Sequence, residues 1–529
     1  MGFVPFISKL DAPLLKLDKL SVFTVTHSFG GTHFWGGIGG GKTSSAHILA
    51  GAYLRAGFGG YVSAVKPGTI PQWKQGYAPK HGRASSIILL DENEGFNFLR
   101  YEMARSGIEG IGTVVETLMR VIDMARSASA TASKRGGEAF WDDSSRNCLR
   151  YTLPLLYSAT GTLTIPDIIR FITTAPTSHQ EAESAEWQRN SFFFKILKLA
   201  TGQPRVRMQV AALQNAVEFW RNQWPAIPDK TRGNIVITIT AALDRFNHGR
   251  LKRFFCDKTT VVPELAFTGA VLVDAKPTLT WNEDGIIAQQ LFKFFFQRSV
   301  LSRNSLEEKH RQRPLFLWCD EAQETVNSYD HEFLGLTRES RCAFTALSQS
   351  LPTYISKIGG DTPRESALAL AGKFSTHVFC SNGCHETNDF AAKILGRVTT
   401  QRGTYSTGTS RNVNTGMSAG ESENHGWSSN SGWSGSYSAG HSTRSSNDGY
   451  GSSSGTGNNW GENRGRSSGT NESRGYSESM EYALEPGFFG RELQTGGPQN
   501  NNIVTAVWFQ TARIFPETGT NWMIARFRQ

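Results

Sequence analysis

Residues 36–43 read Gly-Gly-Ile-Gly-Gly-Gly-Lys-Thr and fit the phosphate-binding pattern G-x-x-x-x-G-K-[ST]. The pattern constrains the fold because it works only as the turn between a strand and a helix. Both flanks agree with that order. Thr32-His33-Phe34-Trp35 is strand-like, and Ser44 to Leu54 is small-residue-rich and apolar at helical spacing. Gly36, Gly37, Gly39, Gly40 and Gly41 let the backbone turn its N–H groups inward around phosphates, and Lys42, Thr43 and Ser44 follow at the helix start. The expected ligand is a nucleoside triphosphate, ATP, with Lys42 on the β- and γ-phosphates and Thr43 on Mg²⁺.

The 529 residues can fill about two or three domains and bury a large core without metal or disulfide staples. Lys and Arg exceed Asp and Glu by 55 to 46, a net charge of +9 that is compatible with a polyanionic partner without requiring one. The cysteines are scattered, as in a reducing compartment, and Cys380-x-x-x-Cys384-His385 suits neither a zinc ribbon nor a haem attachment site. No apolar stretch reaches the length of a membrane span, about 18 residues, and the N-terminus has no signal-peptide pattern. The expectation is a cytoplasmic chain, peripheral at the inner face of the cell membrane only if a partner recruits it.

Short apolar runs at 60–65 and 86–90 alternate with helical segments, implying an α/β fold with a mostly parallel sheet. From about Gly95 to Lys230 long amphipathic segments replace strands, which points to an inserted all-α domain. Strand-like runs return at 267–273, 314–320, 342–348 and 376–380. The expected division is residues 1–94 and 231–400 for the nucleotide-binding domain, with 95–230 as the insertion. Residues 401–480 are rich in Ser, Gly and Asn with almost no aliphatic side chains, so they cannot bury enough apolar area to offset chain entropy. That segment is expected to be disordered, either as a tether or as a stacking surface of Trp, Tyr and Arg. Residues 481–529 hold two further strands that rejoin the sheet.

A phosphate loop needs a carboxylate at the end of a neighbouring strand to hold Mg²⁺, and a group that orients the attacking water. Leu315-Phe316-Leu317-Trp318-Cys319-Asp320-Glu321 supplies both, with Asp320 as the Mg²⁺ partner and Glu321 as the general base. Gln349, at the end of the next strand, suits a γ-phosphate sensor or water-positioning group, or a plain helix-capping neighbour. Arg338 and Arg341 suit either a finger inserted into an adjacent subunit's site or surface ion pairing.

Together these residues resemble the type IV coupling proteins of bacterial conjugation and type IV secretion, the TraG/TraD-like ATPases related to the FtsK and HerA DNA pumps. The resemblance rests on the loop at 36–43, Phe140-Trp141-Asp142, Asp320-Glu321-Ala322, Ser348-Gln349-Ser350-Leu351, and Glu386-Thr387 to Leu395-Gly396. It implies a RecA-like P-loop motor domain with an all-α insertion, a homo-oligomeric, hexameric ring around DNA, and relaxosome or secretion-channel partners. Three features depart from the family pattern. The motor starts almost at Met1, the family's Asp-x-Lys after the first helix is Ala64-Val65-Lys66, and the loop ends in Gly-Gly-Gly-Lys-Thr. The function implied is an ATP-driven motor that moves DNA or nucleoprotein toward a secretion channel. The alternatives are an ATPase that powers channel assembly, and a nucleotide-switched adaptor that recruits substrates.

Overall fold

The computed structural model describes residues 4–128, 138–359, 362–416, 424–438, 441–455 and 463–529. Two units divide the chain, one built from residues 1–389 and 487–529 and the other from 390–486.

The larger unit is organised by a nine-stranded sheet. Its strands in chain order are β1 (Thr32–Trp35), β2 (Gly59–Ala64), β3 (Ile87–Leu89), β4 (Val271–Asp274), β5 (Leu315–Asp320), β6 (Cys342–Ser348), β7 (Thr376–Phe379), β8 (Ile503–Gln510) and β9 (Trp522–Arg528). Across the sheet the order is β9-β8-β7-β1-β6-β5-β2-β4-β3. The seven strands from β7 to β3 run parallel, whereas β8 is antiparallel to both β7 and β9. Every residue of β1, β2, β5, β6 and β7 is buried, as expected of parallel strands covered on both faces. The mixed α/β architecture with a mostly parallel sheet is the one expected from the sequence.

Between β3 and β4 the chain is helical, including Phe98–Ser106, Ile111–Ala128, Glu138–Thr160, Ile165–Thr173, Phe192–Gly202 and Val210–Glu218. The helical run does not stop at 230. Asp229–Asp244 spans that position, and the next sheet strand begins at Val271. The β-branched stretch Ile235 to Thr240 is helical because Ile235, Ile239, Ala242 and Leu243 are buried at the spacing of one helix face.

In the second unit, Arg397–Gly416 pairs antiparallel with Asn463–Tyr482, and Asn424–Ser438 with His441–Gly455. The sequence leaves this segment without a core. Its described backbone nevertheless forms two ladders, since main-chain pairing needs no apolar side chains.

The last two strands are integral to the larger unit. Trp508 of β8 is fully buried, with its ring edge-on to Phe23 at 5.2 Å between centroids. Substituting Trp508→Ala is expected to cost about 3–5 kcal/mol, because the vacated volume lies inside a packed core. Chemical denaturation of the intact chain measures this; an unchanged midpoint would mean that the C-terminal strands are dispensable.

Candidate nucleotide site

Register places the sequence-predicted residues side by side. Trp35 at the end of β1 pairs with Ser348 of β6 and with Phe379 of β7, so the loop at 36–43 leaves the sheet level with Gln349 and Cys380. Two backbone bonds tie the loop down, from Gly36 N–H to the Ser348 carbonyl at 3.2 Å and from Gly37 N–H to that of Ser381 at 2.9 Å. The loop then enters helix α1 (Lys42–Arg55) through Gly41, which sits in the left-handed region at φ 90°. A Cβ on Gly40 would lie 2.2 Å from the Ser381 carbonyl oxygen, and one on Gly41 would lie 2.5 Å from Val504 Cγ1. Glycine is therefore required at both positions by close approach, and β8 helps to shape the loop.

Lys42 is buried beneath its own loop, where Nζ donates to the carbonyl oxygens of Gly36 at 2.5 Å and Gly37 at 3.0 Å. Burial lowers its pKa, and the Glu321 carboxylate opposes that shift. Thr43 is exposed on the first turn of α1.

Asp320 ends β5, two strands from β1 with β6 between them. It is buried and accepts a hydrogen bond from the Thr69 hydroxyl at 2.5 Å. Burial raises its pKa, against the Thr69 bond and the Lys66 charge. Glu321 adopts a left-handed backbone at φ 52°, a conformation that costs a non-glycine residue about 1–3 kcal/mol. The turn directs its carboxylate onto three donors: Lys66, Gln323 at 2.5 Å and Gln349 at 3.0 Å. Burial acts to raise the Glu321 pKa, but the hydrogen bonds from Lys66 and Gln323, with the Lys66 and Lys42 charges, hold it below the usual carboxylate value. The neighbouring carboxyl groups are thus pushed in opposite directions, Asp320 up by burial and Glu321 down by its donors.

One cleft of about 260 Å³ is lined by the loop from Gly37 to Ser44 together with Lys66, Glu321, Gln349, Thr495 and Gln529, while Asp320 precedes Glu321 by one residue without lining it. A hydroxyl from Thr43 and a carboxylate from Asp320 are hard oxygen donors of the kind Mg²⁺ takes, so the residues fit that ion. Gln349 lies in the site. Arg338 and Arg341 do not: both precede β6, at its opposite end from Gln349, about 20 Å along the seven-residue strand. Arg338 is exposed, and Arg341 has φ 51° and offers its carbonyl to Leu315 N–H. Cys380 is packed under the loop, 3.6 Å from Ser45 Oγ, and burial pushes its thiol up to about 11.

Thr69, Gln323, Thr495 and Gln529 line the cleft or bond its acids without being singled out by motif reading, and Lys66 enters that reading only as the remnant of the family's Asp-x-Lys. Lys66 and Gln323 carried a signal, since each lies two residues from a strand end or an acid already identified. Gln529, whose side chain donates to Ser44 Oγ at 2.7 Å, carried none.

Comparison with solved structures decides the fold. The bacterial conjugative coupling protein TrwBdeltaN70 in its unbound form superposes with a TM-score of 0.50 at 13% identity, covering 95% of this chain and 85% of that one. The chain has the fold of a conjugative coupling protein. The plasmid coupling protein TrwB in complex with ADP and Mg²⁺ gives a TM-score of 0.43 at 14% identity, covering 72% and 79% of the two chains. VirB4 of Thermoanaerobacter pseudethanolicus gives 0.40 at 13%, covering 69% and 80%. No family model matches the chain, and no curated protein matches its sequence. The match covers most of the chain, which a local loop match would not do.

Substituting Gly40→Ala tests the loop geometry, because the added methyl must displace backbone at Ser381. A fluorescent ATP analogue is expected to bind at least about tenfold more weakly, equivalent to 1.4 kcal/mol. Unaltered affinity would show that the loop does not hold the phosphates.

Proposed function

We propose that this chain is an ATP-hydrolysing motor of the coupling-protein type, binding DNA and moving it, or a nucleoprotein, toward a secretion channel. The observation that carries the hydrolytic part is the placement of Glu321, a carboxylate directed by three donors and bordering the same cleft as the Lys42 loop. A mere nucleotide switch has no need of such a base.

Lys42 and the loop N–H groups would hold the triphosphate, with Thr43 and Asp320 as the Mg²⁺ residues. The metal neutralises charge on the β- and γ-oxygens when bound. Glu321 accepts the proton of the attacking water, and Gln349 fixes the Glu321 carboxylate in place and reports on the γ-phosphate. Backbone donors already aimed at the phosphates need no reorganisation during the reaction.

The translocation part rests on the coupling-protein fold and on the net charge of +9, which suits a polyanion. A hexameric ring of identical subunits accounts for Arg338 and Arg341: too distant for their own cleft, they are offered to a neighbour's phosphates. Relaxosome or channel proteins are the partners of such a ring. Among the described residues no helix is long and apolar enough to cross a membrane. Placement at the inner face of the membrane would then depend on a partner.

Hydrolysis by the intact chain at low salt is expected to rise when double- or single-stranded DNA is added. Glu321→Gln should retain ATP binding and lose turnover by about 10²- to 10⁴-fold, whereas Lys42→Ala should lose binding itself. Hydrolysis indifferent to DNA would remove the pump and leave an assembly ATPase, and wild-type turnover in Glu321→Gln would remove the motor.

A further inference from the structure

β2 and β5 are parallel neighbours, and Ala64 pairs directly with Asp320. The residues that follow the two strands are therefore brought together: Val65-Lys66-Pro67-Gly68-Thr69 beside Asp320-Glu321. Each acid is gripped by one end of that segment. The Thr69 hydroxyl donates to Asp320, and the Lys66 ammonium is ion-paired with Glu321. The segment is closed on itself by the Thr69 N–H bond to the Lys66 carbonyl at 3.1 Å, so the two grips are held at a fixed separation.

The two ends differ in what they can do. Thr69 is buried and can only brace. The Lys66 side chain is 57% exposed at the mouth of the cleft, whereas its partner carboxylate is 5% exposed. Only the Lys66 end of this ion pair is exposed, and losing it would leave the buried Glu321 carboxylate with neutral donors alone. The geometry of the pair also matters, because Glu321 adopts a left-handed backbone and has no rigid helix to aim it. Gln323 and Gln349 both bind Oε2, and Lys66 is the donor on Oε1. Without Lys66 the carboxylate keeps two bonds on a single oxygen, about which it can swing.

We propose that Lys66 is a positioning residue for hydrolysis, holding Oε1 so that the Glu321 carboxylate, already held at Oε2 by Gln323 and Gln349, keeps one orientation toward the attacking water. This rests on the reading of the chain as an ATPase. Phosphate binding is left to Lys42 and the loop.

The experiment compares the intact wild type with Lys66→Ala and Lys66→Arg, measuring ATP turnover and, separately, affinity for a fluorescent non-hydrolysable ATP analogue with Mg²⁺. Lys66→Ala is expected to lower kcat about 10- to 100-fold, as loss of a supporting hydrogen bond at an active site does, with analogue affinity within about twofold. Lys66→Arg should recover most of kcat. In a Glu321→Gln background the Lys66→Ala change should have no further effect on the residual single-turnover rate, a coupling that a merely structural role would not produce. Weaker analogue binding with kcat unchanged would overturn the proposal and make Lys66 a phosphate ligand. Wild-type hydrolysis undisturbed in Lys66→Ala would overturn it alone, and a wild type that binds but never hydrolyses ATP would overturn both it and the ATPase reading.

Discussion

The site depends on the shared register of β7, β1, β6, β5 and β2, whose carboxyl ends rise to one level. Parallel strands cannot be shifted by one residue without turning each buried side chain to the other face. Because both faces of these strands are covered, that shift is blocked on each of them. The loop at Gly36, the acids at 320 and 321, Gln349 and the Lys66 segment meet because each immediately follows a strand of this set. Chemistry is concentrated where the strands end, and the sheet sets the spacing.

Two further constraints refine that arrangement. β6 stands between β1 and β5, which separates the phosphate loop from the acids by one strand. β8 then presses Val504 against Gly41 from the far side of the loop. The C-terminal strands therefore serve the site as well as the core. This explains why a chain interrupted by a long Ser/Gly/Asn-rich segment returns to the sheet.

Much of this was legible in the sequence because it is local. The loop pattern, the apolar run ending in Asp320-Glu321, and Gln349 after a strand each state their own place within about ten residues. The C-terminal strands were legible as strands too, but their antiparallel entry beside β7 was not, since periodicity carries no direction. The run Ile235 to Thr240 shows a different limit: β-branched residues suit a strand, and the burial of Ile235 and Ile239 on one face makes a helix. Lys66 could be seen only as the remnant of a family pattern, because its partner lies 255 residues away. Gln529 at Ser44 had no signal, as a single glutamine carries no pattern. Arg338 and Arg341 were legible as basic residues near the motif, yet only β6 shows that they stand at the wrong end of the sheet to serve their own cleft.

On the proposed reading, the cleft above β1, β6 and β5 is where this chain handles a triphosphate. A crystal structure of the intact chain with Mg²⁺ and a non-hydrolysable ATP analogue tests it most directly. The account predicts phosphates wrapped by the 36–43 backbone, Lys42 moved from the Gly36 and Gly37 carbonyls onto them, and Mg²⁺ between Thr43 and Asp320 with Glu321 facing the γ-phosphate. A nucleotide bound elsewhere, or bound with its γ-phosphate turned away from Glu321, would contradict it.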